Sequence, residues 1–255
     1  MSTLLRELLD GPTLTAAYQP IVDLRTRRIH GFEALVRART PKGDVSPVEL
    51  VEAATRHGLI DELTVRVAEE ALTTVSTAAT LVPEPLCLTV NVELDQLHPD
   101  NTVVTWLARR ASVDGVRLML EITERGADIW TTDNEAAADL LKAAGVELAL
   151  DDFGTGSARL GFLHHRDWNL VKLDRQFLVN DTPRDRIVLR HYVEMLRELD
   201  LPVLLEGIET GAELHLAREL GVDYAQGFWL GVPLDAATVL DRIERGGLGL
   251  DSGLW

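Results

Sequence analysis

Residues 116–152 read VRLMLEITERGADIWTTDNEAAADLLKAAGVELALDD. The aliphatic run at 116–122 predicts a buried strand that closes on Glu121. Residues 133–144 carry helix formers and stop at Gly145, a residue suited to the left-handed position just past a helix. A second strand at 146–151 then closes on Asp151 and Asp152. Strand, helix and strand at this spacing make one crossover unit with parallel strands. Upstream, LCLTVNV at 86–92 is another apolar strand, with Asn91 at its end. Positions 91, 121 and 151 thus follow one another at 30-residue intervals, about the length of one βα unit.

The same alternation extends both ways. Residues 14–24 and 29–39 predict two strands joined by the turn 25–28, too short a link for anything but an antiparallel pair. Helices are expected at 47–57, 61–80, 101–111, 184–199, 210–220 and 235–245, with strands at 169–173, 202–206 and 223–225. About eight strands without an internal linker predict one α/β domain over 1–255. Its architecture is a modified (β/α)8 TIM-type barrel with one antiparallel strand, a core at about 14–245 and an amphipathic N-terminal helix or arm at 1–12. An open doubly wound sheet would carry GxGxxG after its first strand, and that loop is missing.

Composition narrows the function. The chain has 255 residues, 46% of them hydrophobic, which excludes global disorder. Lys plus Arg number 25 against 41 Asp plus Glu, a net charge of −16 that disfavours binding a nucleic-acid polymer through a broad basic surface. The single cysteine, Cys87, lies in an apolar run and excludes an intrachain disulfide or a cysteine-based zinc site. No apolar stretch reaches membrane-spanning length and no signal peptide is legible, so a cytoplasmic protein without membrane contact is expected.

Polar residues fall where buried strands should not carry them. Glu33, Leu35 and Arg37 share one face of the second strand. Asn91, Glu121, Asp151, Asp152, Lys172 and Glu206 lie at or near later strand ends, and Gln226 follows the last strand. In a barrel these positions converge on one rim, where barrel enzymes keep their active sites. Taken singly, a strand-end Asp is usually a helix cap. A succession of carboxylates on neighbouring strands is harder to explain by capping, and such a cluster needs cations to neutralise it. Oxygen ligands suit Mg²⁺ or Mn²⁺, and two such ions support in-line displacement at phosphorus. The following loop, DFGTGSARLGFL at 152–163, has glycines that permit close backbone approach to a ligand.

These residues make the chain similar to the EAL-domain family, the cyclic di-GMP (c-di-GMP) phosphodiesterases. The motifs occur in the family's order: YQPIVDL (18–24), FEALVR (32–37), LTVNV (88–92), LEITE (120–124), LDDFGTG (150–156), VKLD (171–174), LEGIET (205–210) and AQGFWLGVPL (225–234). The resemblance implies hydrolysis of c-di-GMP to linear pGpG with two divalent ions. It implies Glu33, Asn91, Glu121 and Asp151 as ligands of the first ion, Asp151 and Asp152 as those that reach the second, and Glu206 as a metal-site carboxylate acting directly or through water. Lys172, Glu206 and Asp152 become the catalytic group, with Lys172 orienting the attacking water. Gln19, Leu35, Arg37 and Gln226 resemble substrate contacts, Arg37 on a phosphate. Glu124 and Glu209 resemble glutamates that support the loop after the paired aspartates.

The chain departs from the family pattern at three places: Ser157-Ala158-Arg159 in place of Tyr-Ser-Ser, Glu93 in place of a serine, and Leu205 in place of an alanine. The first leaves a second reading open, a catalytically weak or inactive c-di-GMP receptor or protein-interaction module. A third reading, an enolase-type proton abstractor, shares the carboxylate-held metal and the lysine. His164-His165, expected in a solvated loop, offer no histidine-based metal site. A barrel that occupies the chain leaves no room for a sensor, so either a separate regulatory protein controls it or it is part of a longer chain, and the resemblance suggests a homodimer.

Overall fold

The computed structural model describes residues 2–123, 130–154, 160–165, 168–179 and 182–249. After helix α1 (Ser2–Asp10) come strands β1 (Leu14–Asp23), β2 (Arg28–Thr40) and β3 (Gly43–Val45), then helices α2 (Pro47–Arg56) and α3 (Ile60–Ala79). Strand and helix then alternate through β4 (Leu86–Glu93), α4 (Thr102–Arg110), β5 (Val116–Thr123), α5 (Thr132–Ala143) and β6 (Glu147–Phe153). The chain continues through α6 (Leu160–His165), β7 (Leu170–Leu173), α7 (Gln176–Val179), α8 (Pro183–Glu198) and β8 (Val203–Leu205). It ends with α9 (Gly211–Leu220), β9 (Tyr224–Ala225) and α10 (Ala236–Gly246).

Eight strands close a barrel in the order β1-β9-β8-β7-β6-β5-β4-β2, and β1 pairs back with β2 to shut it. β1 runs antiparallel to both of its neighbours, while β2 and β4 to β9 are mutually parallel. The modified (β/α)8 barrel with one antiparallel strand is therefore the observed fold. β3 only extends the edge of β2, pairing Ala38 with Val45.

Side-chain alternation divides the strands between two cores. One face packs against the outer helices. The other fills the lumen with Ile21, Cys87, Met119, Ala149, Leu170 and Leu204, a plug that closes the barrel beneath the polar rim. Cys87 belongs to this plug, and burial pushes its thiol up to about 12, so it stays an unreactive core thiol. Helix starts are set by local chemistry. Thr131 with Asn134, Thr182 with Asp185, and Thr210 with Glu213 form reciprocal capping boxes. Gly145 takes φ +90°, the left-handed stop expected after α5.

Some elements differ from the sequence expectation. β3, α6 and α7 are three to six residues long, too short to show a period. His164-His165 close helix α6 instead of lying in a loop. β8 stops at Leu205, so Glu206 stands just beyond it, although its N–H still donates to the Leu173 carbonyl at 3.0 Å. Among the described residues no helix is long and apolar enough to cross a membrane.

Candidate active site

The parallel strands carry their polar ends to one rim, around the amine of Lys172. This side chain is 1% exposed and rises from β7 into four carboxylates. Its Nζ lies 2.7 Å from Glu206 Oε1, 2.8 Å from Glu121 Oε2, 3.0 Å from Asp151 Oδ1 and 3.9 Å from Glu33 Oε2. Burial alone would lower the lysine pKa, but Asp151, Glu121, Glu206 and Glu33 together raise it well above its ordinary value. Lys172 is a fixed cation.

Glu33 is held from both sides. Asn91 Nδ2 donates to Oε1 at 2.8 Å, and Gln226 Nε2 donates to Oε2 at 2.5 Å. Burial works to raise its pKa, yet Lys172 and these two amides outweigh burial and hold the carboxyl low. Glu121 is completely buried, and burial together with the charge of Glu33 raises it well above the carboxylate range. Burial likewise pushes Glu206 up to about 8, against the pull of Lys172.

Asp151 and Asp152 owe their shared position to a bulge. β6 pairs Leu150 with Val171 and then Phe153 with Leu173, so two aspartates oppose the single residue Lys172. Asp152 takes φ +56°, a left-handed backbone that aspartate tolerates better than most residues. Strict alternation would send the two side chains to opposite faces. Instead both are buried, and Asp151, Asp152 and Glu206 bring ligand oxygens within 4.8 Å of one another. Neither aspartate caps a described helix, since α6 begins only at Leu160.

Oxygen donors meeting at this separation are the set that hard divalent cations take. One lysine cannot neutralise the surrounding carboxylates, and Glu121 Oε1 is buried without a hydrogen bond. The residues present therefore fit metal ions by charge, by donor type and by this unsatisfied oxygen.

Two cavities open on either side of this centre. One, about 460 Å³, runs between β2, α2 and α3 and is lined by Leu35, Arg37, Val51, Asn91, Glu93 and Asp152. The other, about 300 Å³, is lined by Gln19, Lys172, Arg175, Glu206, Gln226 and Phe228, among others. Gln19 faces Glu33 in the β1–β2 register, and Arg37 donates to the Val36 carbonyl at 2.8 Å.

Of the residues singled out from sequence, Glu33, Asn91, Glu121, Asp151, Asp152, Lys172, Glu206 and Gln226 are thus brought together, with Gln19, Leu35 and Arg37 on the adjoining walls. Glu209 is in an ion pair with Arg175 and lines the second cavity. Glu124 and Ser157-Ala158-Arg159 lie outside the described residues. Glu93 ends β4, caps the turn Leu94–Gln96 and donates its backbone N–H to Gln96 Oε1 at 3.0 Å. Leu205 is buried in β8. Sequence reading missed Arg175 and Phe228, which share the wall of the second cavity. The available signals were an arginine three residues past Lys172 and an aromatic residue two past Gln226.

Known proteins share this arrangement of strands and motifs. The probable cyclic di-GMP phosphodiesterase PdeG of Escherichia coli is 28% identical over 246 residues, covering 94% of this chain and 48% of that protein. The chain spans 29–48% of the length of the curated relatives it matches. The structure of PaMucR phosphodiesterase in complex with c-di-GMP superposes with a TM-score of 0.82 at 29% identity, covering 94% of this chain and 100% of that one. The manganese and c-di-GMP complex of Klebsiella pneumoniae BlrP1 gives 0.75 at 25% identity, covering 95% of this chain and 58% of that one. The profile of the EAL domain family matches residues 3–233, and with its strand-end motifs and closed barrel the chain belongs to that family.

Proposed function

We propose that this chain is a metal-dependent phosphodiesterase that hydrolyses c-di-GMP to linear 5′-pGpG, lowering a bacterial second messenger in the cytoplasm. The observation that carries this reading is the buried Lys172 ringed by Glu33, Glu121, Asp151 and Glu206, with Glu121 Oε1 left without a hydrogen bond. The names and bound ligands of the relatives support it.

Glu33, Asn91, Glu121 and Asp151 would hold one divalent cation, and Asp151, Asp152 and Glu206 a second. Bound there, Mg²⁺ or Mn²⁺ would supply the Lewis-acid charge that lowers the pKa of a nucleophilic water and offsets charge developing on phosphorus. The protein's own part is placement. Arg37 takes a phosphate, and Gln19, Leu35 and Gln226 contact the nucleotides. Lys172, set among Glu33, Glu121, Asp151 and Glu206, orients the attacking water through its N–H donors. Glu206, partly exposed at the rim and 2.7 Å from Lys172, would lie beside that water as a ligand of the second cation. The water gives its proton to solvent, its oxygen attacks phosphorus in line, the P–O3′ bond breaks, and the 3′ oxygen takes a proton from solvent to become the hydroxyl of the linear product. A second copy of the chain and a separate regulatory protein complete the proposed partners.

Incubation with c-di-GMP and Mn²⁺ or Mg²⁺, followed by chromatography, tests the proposal, with EDTA and Asp152→Asn samples alongside. Metal-dependent pGpG, lost in both controls, is the expected result. A folded protein that binds the nucleotide without forming product would be a receptor instead.

A further inference from the structure

Lys172 and Glu206 meet at 2.7 Å, and the residues three positions beyond each of them meet as well. Arg175 Nη1 lies 2.5 Å from Glu209 Oε1, and Arg175 Nη2 donates to Glu209 Oε2 at 2.7 Å. The pair is bidentate, the geometry that fixes a guanidinium and a carboxylate against rotation. It bridges the segment after β7 to the segment after β8. Between its ends lies Gly207, at φ +72°, and the aliphatic stem of Arg175 covers the space that a β-carbon there would need. Gly207 follows Glu206 directly. Among the six residues assigned to the metal ions, Glu206 alone stands outside a strand, so its side chain is placed by one last ladder bond, from its N–H to the Leu173 carbonyl, and by the turn that follows. Arg175, Gly207 and Glu209 also share the second cavity wall with Lys172 and Glu206.

We propose that Arg175 is a positioning residue for catalysis: clasped to Glu209 and packed over Gly207, it fixes the turn that aims Glu206 at Lys172 and at the second cation position. This rests on the proposed phosphodiesterase reading. Arg175 is about half exposed, and an ion pair in such surroundings contributes little to overall stability. Its effect therefore falls on the site and not on the fold.

The test uses the full chain with Arg175→Ala, Arg175→Lys, Glu209→Gln and the double variant Arg175→Ala/Glu209→Gln. Steady-state kinetics with c-di-GMP, Mn²⁺ binding followed by electron paramagnetic resonance of the free ion, and thermal melting are read together. Arg175→Ala should lower kcat about 10–100-fold and weaken Mn²⁺ binding by about the same factor, as losses of groups supporting metal ligands do. KM should change little, and the melting temperature should stay near that of the wild type. Lysine cannot reproduce the two-pronged contact and should rescue only in part. The double variant should be no worse than the alanine variant. A raised KM at unchanged kcat would make Arg175 a substrate contact, and unchanged kinetics and Mn²⁺ affinity would remove it from the site; either outcome overturns the proposal. If the wild type makes no pGpG, the phosphodiesterase reading fails separately, and the Mn²⁺ affinities of the folded variants decide the role of Arg175. Should Arg175→Ala not fold, Arg175→Lys and Glu209→Gln carry the same comparison.

Discussion

Gln226 donates to Glu33 at 2.5 Å although 193 residues separate them in the chain. The bond links β2 to the segment after β9, on either side of β1. Asn91 completes the grip on the other Glu33 oxygen at 2.8 Å. A carboxylate held at both oxygens is presented in one orientation, as a ligand must be if a cation is to find it preformed.

Replacing Gln226 should therefore separate charge from shape. Gln226→Leu leaves a buried Glu33 oxygen without its donor, a loss of about 1–3 kcal/mol. In a chain of this size that lowers the melting temperature by several degrees, at about 2–4 °C per kcal/mol. Gln226→Glu is near-isosteric but sets a second carboxyl against Glu33, so pGpG formation should fall by about 10–100-fold or more. Melting curves and product assays on the two variants check this. Wild-type activity in Gln226→Glu would show that the amide does not orient Glu33.

Lys172 is the cation whose removal should cost the metal-free fold most. Lys172→Met keeps the apolar stem but strands buried carboxylates, a penalty of about 3–5 kcal/mol for breaking a buried ion pair. Melting in EDTA should drop by about 10 °C. Mn²⁺ should recover much of that difference because it binds only the folded state, while hydrolysis stays lost. An unchanged melting temperature in EDTA would mean the carboxylates do not depend on this amine.

Protons and metal ions should compete at the rim. Burial pushes Glu206 up to about 8, opposed by Lys172, whereas the unfolded group keeps its ordinary 4.5. Between those values the folded, metal-free chain binds the extra proton, so this group's stabilising contribution is full below about pH 4.5 and is lost as pH rises through 8. A metal ligand must be deprotonated, so Mn²⁺ binding at pH 7 should release protons and tighten as pH rises toward 8. Calorimetry in buffers of different ionisation enthalpy measures the release. Equal apparent enthalpies in all buffers would contradict it.

The convergence of Asn91, Glu121 and Asp151 was legible because barrel units repeat at a nearly constant length and polar residues at the ends of apolar strands stand out. Lys172 was legible as a member of the site but not as its hub, since contact with four carboxylates depends on β2, β5, β6 and the segment after β8 meeting. The bulge at Asp151 and Asp152 was not legible. Period-two alternation assigns adjacent residues to opposite faces, and nothing in a string of letters marks a positive φ at Asp152. Arg175 was missed for a related reason: its partner lies 34 residues away on another loop.

That bulge yields a test in which fold and chemistry part company. Asp152 combines a left-handed backbone, φ +56°, with a carboxylate beside Asp151 and Glu206. Asparagine tolerates the same backbone, so Asp152→Asn should melt close to the wild type in EDTA. Asp152→Ala keeps the β-carbon but loses the short polar group that can bond locally, and the left-handed conformation then costs about 1–2 kcal/mol, a few degrees of melting temperature. Glycine carries no such strain, so Asp152→Gly should melt above Asp152→Ala. All three remove the same carboxylate, so all three should lose metal-dependent pGpG formation to a similar extent. The melting order Asn and Gly above Ala, set against a common loss of activity, would assign the backbone to the bulge and the carboxylate to the cation. If Asp152→Asn kept wild-type turnover, the second cation would have to be held without this residue.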